Sequence, residues 1–154
     1  MVMAIGAILL PASTAWARGG GWQPVEYPPE LMFNCGSAPV TATLPVNMQY
    51  SRITTLPDGT VLTQYTGSLT ITFTAESGVS VTHNISGPAK VFNYTNGDVE
   101  VQYTGVNGGP PPIPGLPDLI WTAGRVHIIY HPDGSFTVIH FPHVVTDICQ
   151  ELGL

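Results

Sequence analysis

Positive charge is the scarcest thing in this sequence. Only four of its 154 residues are Lys or Arg, and the formal net charge is −6. A phosphate backbone is held by clustered cations, so no nucleic-acid partner is expected. Anionic membrane surfaces are disfavoured for the same reason. Cysteine is scarcer still: Cys35 and Cys149 are the two, with no C-x-x-C spacing and no paired-histidine motif for zinc. Beyond residues 1–17 no apolar run is long enough to cross a bilayer, so no membrane span is expected after that segment. Gly-x-Ser-x-Gly elbows and phosphate-cradling glycine loops are missing, and a bridged cysteine is no nucleophile. Charged residues are only 9% of the chain while apolar residues reach 44%. Thr, Ser and Gly supply the polarity, which is a β-surface composition and not that of a disordered chain.

What is present begins with residues 1–17, which read as a signal peptide. Val2 to Leu10 is an uninterrupted small-and-apolar run, Pro11 ends it, and Ala15-Trp16-Ala17 is an A-x-A cleavage signal before Arg18. The n-region carries no Lys or Arg, which departs from the usual pattern and fits a translation start further upstream. A buried N-terminal helix is the competing reading. Cleavage would yield a secreted, extracellular protein. Residues 18–39 then form a Gly/Pro-rich N-terminal segment, and residues 40–154 a single β domain large enough to bury its own core. In an oxidising compartment Cys35 and Cys149 are expected to form one disulfide, two separate buried thiols being the alternative.

Turn signals and alternation set the strands. Leu69, Ile71, Phe73 and Ala75 alternate with Ser and Thr, as do Val79, Val81, His83 and Ile85 after Glu76-Ser77-Gly78. A three-residue loop pairs Phe73 with Val81 and Ile71 with His83, which keeps both apolar sets on one face. Asn96-Gly97 reads as a two-residue turn that sets Tyr94 against Val99, Phe92 against Val101 and Lys90 against Tyr103. His131-Pro132-Asp133-Gly134-Ser135 turns a third hairpin. Its expected register puts Val126, Ile128, Tyr130, Phe136, Val138 and His140 on one face, with His127 opposite Ile139 on the other. Leu56-Pro57-Asp58-Gly59-Thr60 is a turn of the same kind. Thr60 to Ala75 reads as one strand bent at Gly67.

Successive hairpins describe an all-β antiparallel meander. An up-and-down β-barrel of roughly 7–9 strands is the expected architecture, with a β-sandwich as the alternative. Asp147 to Leu152 reads as a short C-terminal helix carrying Cys149. Gly105 to Pro117, with its Pro110-Pro111-Pro112-Ile113-Pro114 run, is the one long loop inside the domain.

No catalytic residue, cofactor or metal site is expected. Asp58, Glu76, Asp98 and Asp133 fall at turns, where local hydrogen bonding and solvation account for them. His127, His131, His140 and His143 lie close in sequence, but the expected register separates His127 from His140 and argues against a metal. His83 and His140 fall on apolar faces, where a hydrogen-bonded core histidine is the plain reading. The sharper reading joins His83 and His140 to Tyr94, Tyr103 and Tyr130 as polar groups in an apolar interior, the composition of a small-ligand pocket. The expected function is thus a secreted, non-enzymatic binding domain for a small apolar ligand held inside the barrel. The alternatives are a cell-envelope or extracellular interaction protein with a filled core, whose partner would be a cell-envelope component, and a small barrel enzyme such as a cyclase or isomerase.

The Asn84-Ile85-Ser86-Gly87-Pro88 turn, the Gly124-Arg125-Val126 strand start and the Val145-Thr146-Asp147-Ile148-Cys149 ending occur together here. With the apolar N-terminal segment and the Pro/Gly loop before Leu119, they resemble an uncharacterised family of secreted all-β proteins common in actinobacteria. The resemblance covers roughly residues 40 to 152, and each motif alone is weak. It implies a bacterial, exported protein of β architecture and transfers no catalytic residue.

Overall fold

The computed structural model describes residues 21–142 and 145–154. The expected signal peptide lies outside the described residues, and so does His143. Among the described residues, ten strands precede one helix: β1 Gln23–Pro24, β2 Leu31–Cys35, β3 Ala38–Thr55, β4 Val61–Ala75, β5 Ser80–Asn84, β6 Ala89–Asn93, β7 Val99–Gly109, β8 Ile120–Tyr130, β9 Phe136–His140, β10 Val145–Asp147 and α1 Ile148–Glu151. The ladder runs β1-β3-β4-β6-β7-β8-β10, with β2 added to β3, β5 to β4 and β9 to β8. Every pairing is antiparallel. The sheet is therefore the all-β antiparallel assembly that alternation predicts, but β1 and β10 do not pair. Among the described residues the closure that makes a barrel is not formed. Two of the strands, β1 and β2, arise within the Gly/Pro-rich segment 18–39 and both pair with β3.

The long strands β3, β4 and β8 each serve two neighbours on one side. Val61–Tyr65 of β4 pairs with β6, whereas Thr70–Thr74 pairs with β5. β8 pairs with β10 over Ile120–Thr122 and with β9 over His127–Tyr130. Gly67 stands where β4 changes partner, with φ +119°. A Cβ there would lie 2.1 Å from the Met48 carbonyl oxygen. Gly67→Ala should therefore cost about 1–3 kcal/mol, since both the backbone angle and the close approach must give. A urea midpoint unchanged from that of Gly21→Ala, whose Cβ meets only a side-chain atom at 3.7 Å, would contradict this.

One end of the sheet is filled. Leu69, Ile71, Phe73 and Ala75 of β4 share an inner face with Val40 and Ala42 of β3, and all are buried. Ile148, Leu152 and Leu119 cover that face together with the Cys35–Cys149 disulfide. Asp147 caps α1 by accepting from the Gln150 N–H, and the Ile148 N–H donates to the Leu119 carbonyl at 3.0 Å. The short C-terminal helix is thus the lid of the core, and the disulfide is its anchor, with Cα atoms 5.6 Å apart.

The turns confirm one register and correct two. In β4–β5, Ile71 faces His83 and Phe73 faces Val81, as alternation requires. At Asn96-Gly97 the two-residue turn is not used. Asn93 pairs with Val99, Val91 with Val101 and Lys90 with Gln102. The Tyr94 N–H bonds the Asp98 carbonyl at 2.9 Å, and the Gly97 N–H bonds Tyr94 at 3.0 Å. The turns after Leu56, Ala75 and His131 have the same bond pattern. A two-residue type I′ turn needs positive φ at Asn96, and no non-glycine residue described here has it. Only Gly97 does, at +90°, in the left-handed position that closes a three-residue loop. One extra loop residue changes the phase of β6, so Val91 in place of Phe92 joins Val101 and Tyr103 on the inner face, and Phe92 looks out with Glu100. The third hairpin pairs Tyr130 with Phe136 and Ile128 with Val138 as expected, then shifts register and sets His127 opposite His140. The expected pairing of His127 with Ile139 is replaced by this irregularity.

Candidate functional site

The other end of the sheet is not filled. Reading across the inner face, Tyr65 of β4 lies beside Ala89 of β6, Ala89 beside Tyr103 of β7, and Tyr103 beside Val126 of β8. The next row is Thr63, Val91, Val101 and Ile128. A methyl side chain between two tyrosines leaves a hollow in a surface otherwise built of branched residues. The result is a cleft of about 190 Å³. Its floor and walls include Val91, Val101, Ile128, Ile120, Leu69 and Ile85, and its rim carries Pro110 and Pro112 from the long loop.

Four of the chain's six tyrosines, Tyr27, Tyr65, Tyr103 and Tyr130, line this cleft. Burial raises the pKa of each phenol. Tyr27 is pushed up to about 12, with the neighbouring Tyr65 adding to the effect. Burial, reinforced by Tyr130, raises Tyr103 further, and burial also raises Tyr65 and Tyr130. All four stay protonated at neutral pH and act as hydrogen-bond donors. Two of those donors are engaged: Tyr27 donates to Gln49 Oε1, and Tyr130 donates to the Pro112 carbonyl at 3.1 Å, tying the proline loop over the cleft. The hydroxyls of Tyr65 and Tyr103 have no hydrogen-bonding partner among the described residues. Among the described residues, no Asp, Glu, Lys, Arg or His lines the cleft.

Of the five residues that sequence reasoning joined, the structure brings only Tyr103 and Tyr130 to this cleft. His83 keeps its place opposite Ile71 but sits at the rim of the filled end. Its ring stacks on Trp121 with centroids 5.6 Å apart, and its Nε2 lies 2.6 Å from Glu151 Oε2 of the helix. Trp121 in turn donates to the Asn84 carbonyl at 2.9 Å, so the two rings fasten β5 to β8 and α1. His140 is exposed on β9 and not on a buried apolar face, because the register shift and the edge position leave none of the described residues over it. Tyr94 lies on the far side of the sheet, a consequence of the one-residue correction at Gly97. Its hydroxyl donates to Glu100, which raises the phenol to about 12.

Glu100 is the charged residue buried most deeply among those described, at 9% exposure. Besides Tyr94 it accepts from Gln102, and His127 Nε2 lies 2.6 Å from its Oε1. Burial pushes its carboxyl pKa up, but the hydrogen bonds from Tyr94, Gln102 and His127 outweigh burial and leave it lowered. Asp98 is lowered chiefly by its hydrogen bond with His131, whose Nδ1 is 2.9 Å away. These are carboxylates each held by one histidine on the face away from the cleft. Among the described residues, no group of three or more His, Cys, Asp or Glu side chains is arranged to hold a metal ion.

Tyr27, Tyr65, Gln49 and Asn107 line the cleft and were not read from the sequence. Tyr27 lies in a segment whose proline and glycine content gave it no periodicity. Tyr65 belongs to the mixed stretch before Gly67, where alternation alone assigns no buried face.

Fold and site together define an antiparallel β-sheet protein, sealed by a disulfide at one end and hollow at the other. No protein-family model, curated protein or solved structure matches the chain. The described residues contain no helix long and apolar enough to cross a membrane.

Proposed function

We propose that this protein is a secreted, non-enzymatic binding domain that holds one small, mainly apolar molecule in the tyrosine-lined cleft. The observation that carries the reading is the hollow at Ala89, flanked by Tyr65 and Tyr103 on an otherwise apolar inner face. Apolar walls with a few convergent polar groups are the usual composition of small-molecule sites. The cleft takes the place of the barrel interior as the ligand's location, since the ladder is open. Export is supported by the Cys35–Cys149 bond, which persists in oxidising compartments, by the apolar N-terminal segment, and by the resemblance to secreted actinobacterial proteins. A binding role fits better than a cyclase or isomerase because the titratable groups of the cleft are phenols held protonated. The described residues of the cleft supply donors and no base.

Ala89→Leu provides the test. It adds three carbons where the cross-strand row is shallowest, and it should weaken binding of a neutral aromatic probe such as acetophenone at least about tenfold. The thermal midpoint should stay close to that of the parent, because the filled end is untouched. Acetophenone titrated by calorimetry or by NMR shifts at Val91 and Ile128 reads the outcome. Equal binding to parent and variant would place the site elsewhere and defeat the proposal.

A further inference from the structure

The geometry points to the chemical class of the ligand: a neutral, single-ring molecule carrying a carbonyl or equivalent acceptor oxygen, bound by Tyr65 and Tyr103. This inference rests on the binding role proposed above and adds selectivity to it. Three observations carry it independently of one another.

Size comes first. An apolar cavity of about 150 Å³ is large enough for benzene, so the 190 Å³ of the cleft matches one substituted ring. Charge comes second. With no ionic side chain among the described residues lining the cleft, a carboxylate or an ammonium would lose its hydration and gain no counter-charge from them, which is strongly unfavourable. The net charge of −6 adds general repulsion for anions. Polarity comes third. Tyr27 and Tyr130 spend their hydroxyl protons on Gln49 and Pro112, leaving Tyr65 and Tyr103 with protons to donate. These two stand on either side of Ala89, two strand spacings or about 10 Å apart at Cα, so their phenols border the hollow from both sides. A carbonyl oxygen has two lone pairs and accepts from one or both. An occupant that offers no acceptor leaves two partly buried donors without a protein partner, which costs affinity.

The experiment titrates four nearly isosteric probes into the intact, disulfide-bonded chain at pH 7: acetophenone, ethylbenzene, benzoate and benzylammonium. Acetophenone should bind tightest. Ethylbenzene should bind about tenfold more weakly, having lost the acceptor. Benzoate and benzylammonium should bind at least about a hundredfold more weakly than acetophenone. Tyr65→Phe/Tyr103→Phe should bring acetophenone down to the level of ethylbenzene and leave ethylbenzene unchanged, while Tyr94→Phe, on the other face, should alter neither. Benzoate or benzylammonium matching acetophenone would overturn the inference and leave the binding role standing. So would an acetophenone preference that survives the double Phe variant. If none of the four binds, the binding role itself fails and the inference falls with it.

Discussion

Replacing both cysteines, as Cys35→Ser/Cys149→Ser, should lower the unfolding free energy by about 4–5 kcal/mol and the Tm by about 15 °C. The bond joins positions 114 residues apart in sequence. Nearly all of the sheet lies within that loop, and cutting it gives the unfolded chain back most of its freedom. The native state loses as well. The bond holds β2 against α1, and α1 supplies Ile148 and Leu152, which are almost fully buried over Phe73 and its neighbours. A helix of four residues has no stability of its own. Without the bond its packing alone must hold it. Reduction of the parent protein should reproduce the double substitution in a urea titration, and the mass before reduction should be two hydrogens lower than after. A double-serine variant as stable as the parent would show that the bond contributes nothing to folding.

Phe73→Ala should cost about 3–5 kcal/mol, the range for emptying a large, fully buried aromatic site. Phe73 has no exposed surface, and its ring meets that of Phe33 at 5.8 Å between centroids. Its neighbours belong to a two-layered arrangement of strand and helix closed by the disulfide, which has little freedom to collapse into the space. The matching control is Thr72→Ala, one residue away on the opposite face. Thr72 loses only a hydroxyl contact of 2.8 Å to Thr82 on an exposed surface, and it should cost no more than about 1 kcal/mol. Equal midpoints for the two variants would mean that the alternation of β4 does not define the core. Acetophenone binding by Phe73→Ala, measured well below its own Tm, should be unchanged, because the substitution lies at the filled end.

The filled end was the legible part of this chain. Alternation from Leu69 to Ile85 is strict, the Glu76-Ser77-Gly78 loop has one glycine at its close, and burial chooses a single register. The cysteine pairing followed from compartment and number. The hollow end was not legible, for reasons that are local and physical. Asn-Gly is compatible with a two-residue turn and with the end of a three-residue turn, and the flanking strands contain apolar residues in both phases. Phe92 and Tyr94 are as apolar as Val91 and Val101, so burial favoured neither phase, and the error of one residue exchanged Tyr94 for Val91. A register shift between His127 and Ile128 then brought two histidines level that the ideal ladder keeps apart. Strand β1, two residues ending on a proline, has no signature of its own, and pairing with the long β3 holds it in the sheet. Strand β2, Leu31–Cys35, is apolar but lies just after the Gly/Pro-rich stretch with which it was grouped.

Because β4 runs unbroken from one end of the sheet to the other, the packed end fixes the phase of side chains in the open end. A slip of one residue around Tyr65 would have to turn Ile71 and Phe73 out into water as well. The positions around Ala89 are thereby relieved of any duty in specifying the fold. They can be exchanged in size and polarity without putting the strand pairing at risk, so related chains with the same framework could diverge in the shape and polarity of the cleft by changes at a handful of inward positions on β4, β6 and β7. Such a protein is built as a sealed cap joined to an editable bowl.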